Sequence, residues 1–86
     1  MDTADSWRML FSSWPSSMPR QGLIVTNFGE NITFVNFMTS GGILLVERDR
    51  PDSSDARKVM IAYSAISAVK STSTMDFDKF KVLGFE

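Results

Sequence analysis

The sequence contains no cysteine and no histidine among its 86 residues. The first absence excludes disulfides and thiol chemistry. The two together remove the usual zinc ligands and leave only oxygen donors, so no metal centre and no cofactor is expected. A nucleophile–imidazole pair is impossible without Cys or His. The serines have no evident base, and no carboxylate pair lies in an apolar setting that would separate two pKa values. Gly41-Gly42 lacks the spacing of a phosphate-binding loop. The chain is therefore expected not to be an enzyme. No apolar run approaches the roughly 18 residues that span a bilayer. No basic region followed by an apolar stretch marks a secretory signal, so a cytoplasmic protein is expected.

Charge of one sign is also missing. Nine Lys and Arg stand against ten Asp and Glu, a net charge of −1. Bulk electrostatic attraction to nucleic acid is disfavoured, and only a local basic patch could supply it. What the chain does have is apolar bulk: seven Phe, two Trp and six Met. That is generous for one small domain, which is marginally stable on its own. With disulfides and zinc excluded, self-association is the expected extra support.

Residues 1–14 read as an amphipathic helix, with its body over about 3–14. Asp2 or Thr3 can cap it, and Asp2 and Asp5 suit the positive end of its dipole. Trp7, Leu10, Phe11 and Trp14 fall at i, i+3, i+4 and i+7, on one face. Pro15 stops the helix. Those tryptophans can cover the open end of a barrel or offer a partner surface.

From Leu23 the helical period gives way to strands. Leu23 to Phe28 is the first, and Phe28-Gly29-Glu30-Asn31 is a tight turn. Asn31 to Met38 reads as one alternating strand, with Ile32, Phe34 and Met38 on one face and Thr33, Val35 and Phe37 on the other. Asn27, Asn31 and Asn36 could read a base edge or serve turn and backbone. Ser40-Gly41-Gly42 suits a bend. Ile43 to Val46 is a continuous apolar run, consistent with a fully buried strand. A charged loop follows from Glu47 to Ala56, then strands at Arg57–Tyr63 and Ile66–Lys70 with Ser64-Ala65 between them. One helix and five short strands outline an all-β fold, a small five-stranded barrel. The expected domain spans residues 1–74. Residues 75–86 are too apolar for a free end and are expected to dock, on their own domain or on a neighbour.

Two stretches, Leu23 to Val46 (LIVTNFGENITFVNFMTSGGILLV) and Val59 to Lys70 (VMIAYSAISAVK), resemble the two motifs of the Sm-like family, and within it the bacterial Hfq proteins. Gly29 stands at the family's turn glycine, and the Ala65-Ile66-Ser67 step is similar to that of Hfq. The resemblance covers roughly residues 5–70. It implies an Sm-like (SH3-like) barrel with an N-terminal α-helix, a homo-oligomeric ring, and single-stranded RNA as a ligand. In the ring, the edges of Arg57–Tyr63 and Ile66–Lys70 would pair between subunits, with Val59, Ile61, Ile66 and Ala68 at the contact. Neither edge contains Pro, and an apolar edge without blocking devices needs a partner. The chain departs from the family at Tyr63 and Ser64, where Hfq has the Lys-His that lines its pore. It departs also at Gly41 or Gly42, where a stacking aromatic would fall, and at Phe34, where the family has a glycine.

The candidate binding residues are Arg48, Arg50, Arg57, Lys58, Tyr63 and Ser64. The four basic residues could gather at the end of a hairpin and form a rim for phosphates. They could equally be a solvated loop neutralised by Glu47, Asp49, Asp52 and Asp55. Those aspartates lack the alternation of a calcium loop. Tyr63 could stack on bases or pack at a subunit boundary. Three functions are open: a non-enzymatic, ring-forming binding module whose ligand is RNA; a structural or regulatory assembly protein that holds a protein partner through residues 75–86; and a monomeric SH3-like barrel that recognises a peptide or small ligand.

Overall fold

The computed structural model describes residues 2–86. Among them are one α-helix, α1 (Thr3–Ser12), and six strands: β1 (Gly22–Thr26), β2 (Asn31–Phe34), β3 (Asn36–Thr39), β4 (Ile43–Glu47), β5 (Lys58–Ala62) and β6 (Ile66–Ser71). Short 3-10 segments occupy Tyr63–Ala65 and Phe77–Leu83.

Helix α1 forms where its caps and apolar face predict. The Asp2 carboxylate accepts the Asp5 N–H at 2.8 Å and satisfies one of the orphan donors of the first turn. Ser13 ends the helix, its N–H donating to the Met9 carbonyl at 3.0 Å and the Trp14 N–H to the Phe11 carbonyl at 3.3 Å. Pro15 then starts a turn closed by Met18 N–H on the Pro15 carbonyl at 3.1 Å. Phe11 is 1% exposed. Its ring centroid lies 5.0 Å from Phe37 and 5.6 Å from Trp14, so the helix is pinned to the sheets mainly by aromatic packing.

The strands form two three-stranded antiparallel sheets, ordered β2-β1-β6 and β3-β4-β5. This corrects the expected all-β, five-stranded Sm-like barrel. Among the described residues no ladder joins the two sheets and no closed barrel is present, and with its helix the chain is a mixed α/β protein. Two local causes are visible. The second strand, expected as one piece from Asn31 to Met38, breaks at Val35. There the buried series runs Ile32, Phe34, then Phe37, while Val35 and Met38 are exposed. The side-chain period slips by one residue, the face turns over, and the chain passes from one sheet to the other. The bend is held by Val35 N–H on the Glu47 carbonyl at 2.8 Å and by the Asn36 side chain accepting Phe37 N–H at 2.9 Å. At the other end, the 3-10 turn at Tyr63–Ala65 sends β5 and β6 to different sheets, so those two strands do not pair with each other.

The core gathers Ile24, Ile32 and Phe34 from the first sheet, Phe37, Leu44, Val46 and Ile61 from the second, and Phe11, Tyr63 and Ile66. The Ile43–Val46 run is not fully buried as expected. Leu44 and Val46 are buried, whereas Ile43 is exposed and Leu45 half-buried, because only one face of this sheet is covered. The β1–β2 turn needs Gly29 at φ 86°, a conformation that costs other residues energy. Thr26 is buried but satisfied: its hydroxyl donates to the Glu30 carbonyl at 2.8 Å and accepts Glu30 N–H at 3.0 Å. No helix among the described residues is long and apolar enough to cross a membrane.

Candidate functional site

Each sheet has two edge strands, β2 and β6 in the first and β3 and β5 in the second; β2 runs into β3 at the Val35 bend, and β5 and β6 are joined by the Tyr63–Ala65 turn. Strand β5 borders β4 on one side only, and β6 borders β1 on one side only. Neither contains Pro. Each therefore presents a row of backbone donors and acceptors to whatever lies beside it. The four residues expected at a subunit contact all lie on these edges. Their side chains, however, point inward or lie half-covered: Ile61 and Ile66 are in the core, Val59 packs against it, and Ala68 is half-buried. What they can offer a second copy is backbone. The side chains that β5 turns outward are Lys58 and Met60, the latter 76% exposed.

Strand register gathers an apolar row that sequence reasoning missed. Met38 faces Leu45, and Leu45 faces Met60, across the three strands of the second sheet. The adjacent row is Asn36, Glu47 and Lys58, with Lys58 Nζ 3.5 Å from a Glu47 carboxylate oxygen. Met38 and Met60 are 22 residues apart in sequence, and only the β3–β4–β5 register shows that they share a face. A shallow pocket of about 190 Å³ lies beside this row, bounded by Asn36, Met38, Leu45 and Lys58.

The basic hairpin exists. Glu47 pairs with Lys58, and Arg48 N–H donates to the Arg57 carbonyl at 2.8 Å. This brings Arg48, Arg57 and Lys58 to the hairpin neck. Two of the four basic candidates are held by acids, Lys58 by Glu47 and Arg50 by Asp49 at 3.8 Å. Arg48 and Arg57 have no carboxylate within 4.0 Å among the described residues, and Arg48 Nε is buried without a hydrogen-bond partner. The loop beyond is organised by Asp52, whose carboxylate accepts Ser54 N–H at 2.8 Å and Ala56 N–H at 2.9 Å. Those two backbone bonds hold its pKa below the ordinary 3.8. No group of three or more acidic residues that could hold a metal ion is present among the described residues.

Tyr63 is 2% exposed, and its hydroxyl lies 3.4 Å from the Ser40 carbonyl. Burial pushes its pKa above the ordinary 10.0. Its ring belongs to the core, where no base could stack on it without its leaving. Ser64 is exposed, and its carbonyl accepts the Asn27 side-chain amide at 3.1 Å. The polar asparagines thus serve local structure, Asn27 at the β5–β6 turn and Asn36 at the sheet-to-sheet bend. Arg20, not singled out from sequence, sits 4.5 Å over the Phe37 ring and donates to the Phe37 carbonyl at 2.9 Å.

The last segment runs beside α1. Leu83 shares a cleft with Ser6, Met9, Leu10 and Ser13, and Val82 lies near Ser17 and Met75. On its other side, Phe77, Phe80 and Phe85 line a half-open hollow of about 500 Å³ with Asp78, Lys81 and Glu86. Phe77 is 90% exposed.

No family model, curated protein or solved structure matches this chain.

Proposed function

We propose that this chain is a non-enzymatic binding module that works as an assembly of identical copies, joined where β5 of one copy pairs with β6 of the next. The observation that carries this reading is that β5 and β6, joined by one short turn, are proline-free edges of two different sheets. Strand addition satisfies the backbone of both edges at once. Because the two edges differ, the contact is head-to-tail, and it closes into a ring when the rotation per copy permits. The resemblance to Sm-like proteins implies the same two edges.

The native mass by size-exclusion chromatography with light scattering tests the reading. A discrete species of several times 9.6 kDa is expected. Ser67→Pro should reduce it, since Ser67 is exposed on β6 and is passed over by the β1 register. An unchanged tryptophan spectrum would show that the variant still folds. A monomer at high micromolar concentration overturns the proposal.

A second reading, that the assembly binds single-stranded RNA, is favoured by the exposed and unpaired Arg57 beside Arg48 at the hairpin neck. One such pair per copy, repeated around a ring, makes a discontinuous basic rim. Fluorescence anisotropy of a labelled single-stranded RNA should then fall steeply as salt rises from about 50 to 200 mM. Arg57→Ala should weaken binding across sequences. No anisotropy change at the lower salt overturns it.

A further inference from the structure

We infer that the hollow formed by Phe77, Phe80 and Phe85 is the seat for the methionine row of a neighbouring copy, so that each copy's last segment straps the β3–β4–β5 face of the next. The inference rests on the edge-to-edge assembly proposed above and assigns a side-chain contact to it.

Three observations lead there. The large apolar side chains left exposed on the molecule include two opposed sets, Met38, Ile43 and Met60 on the second sheet and Phe77, Val82 and Phe85 on the last segment. One set stands on a flat sheet face. The other lines a hollow of about 500 Å³, which is room for more than one methionine side chain. Thioether–aromatic contact is favourable, and flexible Met side chains adapt to an irregular aromatic cup.

The charges beside the two patches also match. Glu47 and Lys58 flank the methionine row, and Asp78, Lys81 and Glu86 rim the hollow. Lys58 can meet Asp78 while Glu47 meets Lys81, which leaves the exposed Glu86 in water.

Chain connectivity supplies the third argument. The segment follows β6 directly, after residues 72–76. If β6 lies against β5 of the next copy, about 4.8 Å away, this spacer starts at that copy's β5. Five residues reach at most roughly 18 Å, enough to bring Phe77 over the neighbour's Met60. The segment's opposite side lies beside its own α1, with Leu83 at the shared cleft. It can therefore bridge two copies without leaving its own.

The absence of cysteine gives the test a clean background. Met60→Cys and Phe77→Cys, each a single substitution in a copy of distinguishable size, are mixed and oxidised. A mixed disulfide dimer is expected, because the two thiols can meet only between copies. Phe77→Ser/Phe85→Ser should raise the concentration needed for assembly about tenfold. A second pair, Lys58→Cys with Lys70→Cys, placed on exposed side chains of β5 and β6, reports the strand edges alone. Edge cross-links without the Met60–Phe77 cross-link, or an unchanged assembly concentration in the double Ser variant, overturn the strap and leave the assembly standing. Absence of both cross-links in a monomeric protein overturns both. A hollow that captures an unrelated apolar peptide while the assembly ignores the Ser changes also overturns it.

Discussion

Truncating Phe11 tests the central packing argument most directly. The ring is 1% exposed and lies within 6.5 Å, centroid to centroid, of Trp7, Trp14, Phe34, Phe37 and Tyr63. It is therefore the common neighbour of the helix face and both sheets. Phe11→Ala removes the transfer free energy of a buried ring and leaves a cavity walled by other rigid rings, which cannot collapse easily. Such replacements cost about 3–5 kcal/mol. A chain of this length has a total stability of roughly 4–13 kcal/mol, so the variant should lose a large share of its stability. With a urea slope of about 1 kcal/mol per molar, the midpoint should fall by about 3 M or the protein should be unfolded from the start. Trp7 and Trp14 flank the site and report by fluorescence. Met9→Ala, on the exposed side of the same helix, should cost about 0.5 kcal/mol. A Phe11→Ala loss below about 1.5 kcal/mol would refute the idea that α1 is pinned through this ring.

Three further perturbations follow from particular contacts. A Cβ on Gly22 would sit 2.6 Å from the Lys70 carbonyl oxygen and 3.2 Å from the Phe34 ring; Gly22→Ala should cost about 1–3 kcal/mol in urea unfolding, and an unchanged midpoint would contradict the β1–β6 register. The Asp52 carboxylate accepts two loop N–H groups and titrates low, so its contribution is present above the ordinary 3.8 and is lost as pH falls through the depressed folded value; the Ser54 and Ala56 amide shifts should titrate with a midpoint below 3.8, and a midpoint at or above it would remove those bonds. The Tyr63 phenol titrates high because it is buried, so the stability linked to it is complete below pH 10.0 and is lost as pH rises from there through the folded value; ultraviolet absorbance should show Tyr63 ionising above 10.0, and a normal titration would place the ring in water.

Local signals were legible in the sequence where one short rule governs them. The helix and its Asp2 cap follow from neighbours within a turn or two, although the helix ends at Ser12, short of the expected stop at Pro15. Strand positions were readable to within a residue or two at four of the expected strands, because β-branched runs bounded by Gly and polar clusters mark them. The second strand was misread because large apolar residues stand on both parities from Ile32 to Met38. Alternation alone has no means of locating a slip at Val35, and the closed barrel depended on that strand being continuous. The edge residues Val59, Ile61, Ile66 and Ala68 were placed on the right strands, but which way their side chains face depends on the turn at Tyr63–Ala65. Tyr63 itself carries no local mark of burial; Phe11 and Ser40, far away in sequence, make its surroundings. The methionine row and the phenylalanine hollow are products of register and of tertiary docking, which composition reports only as an excess of apolar side chains.

The bend at Val35 has a consequence for how the strands can slip. Residues on the two sides of the bend point to the core on opposite parities, Phe34 before it and Phe37 after it. A one-residue slip confined to β3 against β4 would turn Phe37 outward and Met38 inward while β2 kept its pairing with β1. The single exposed residue between the strands is the slack that separates the two registers.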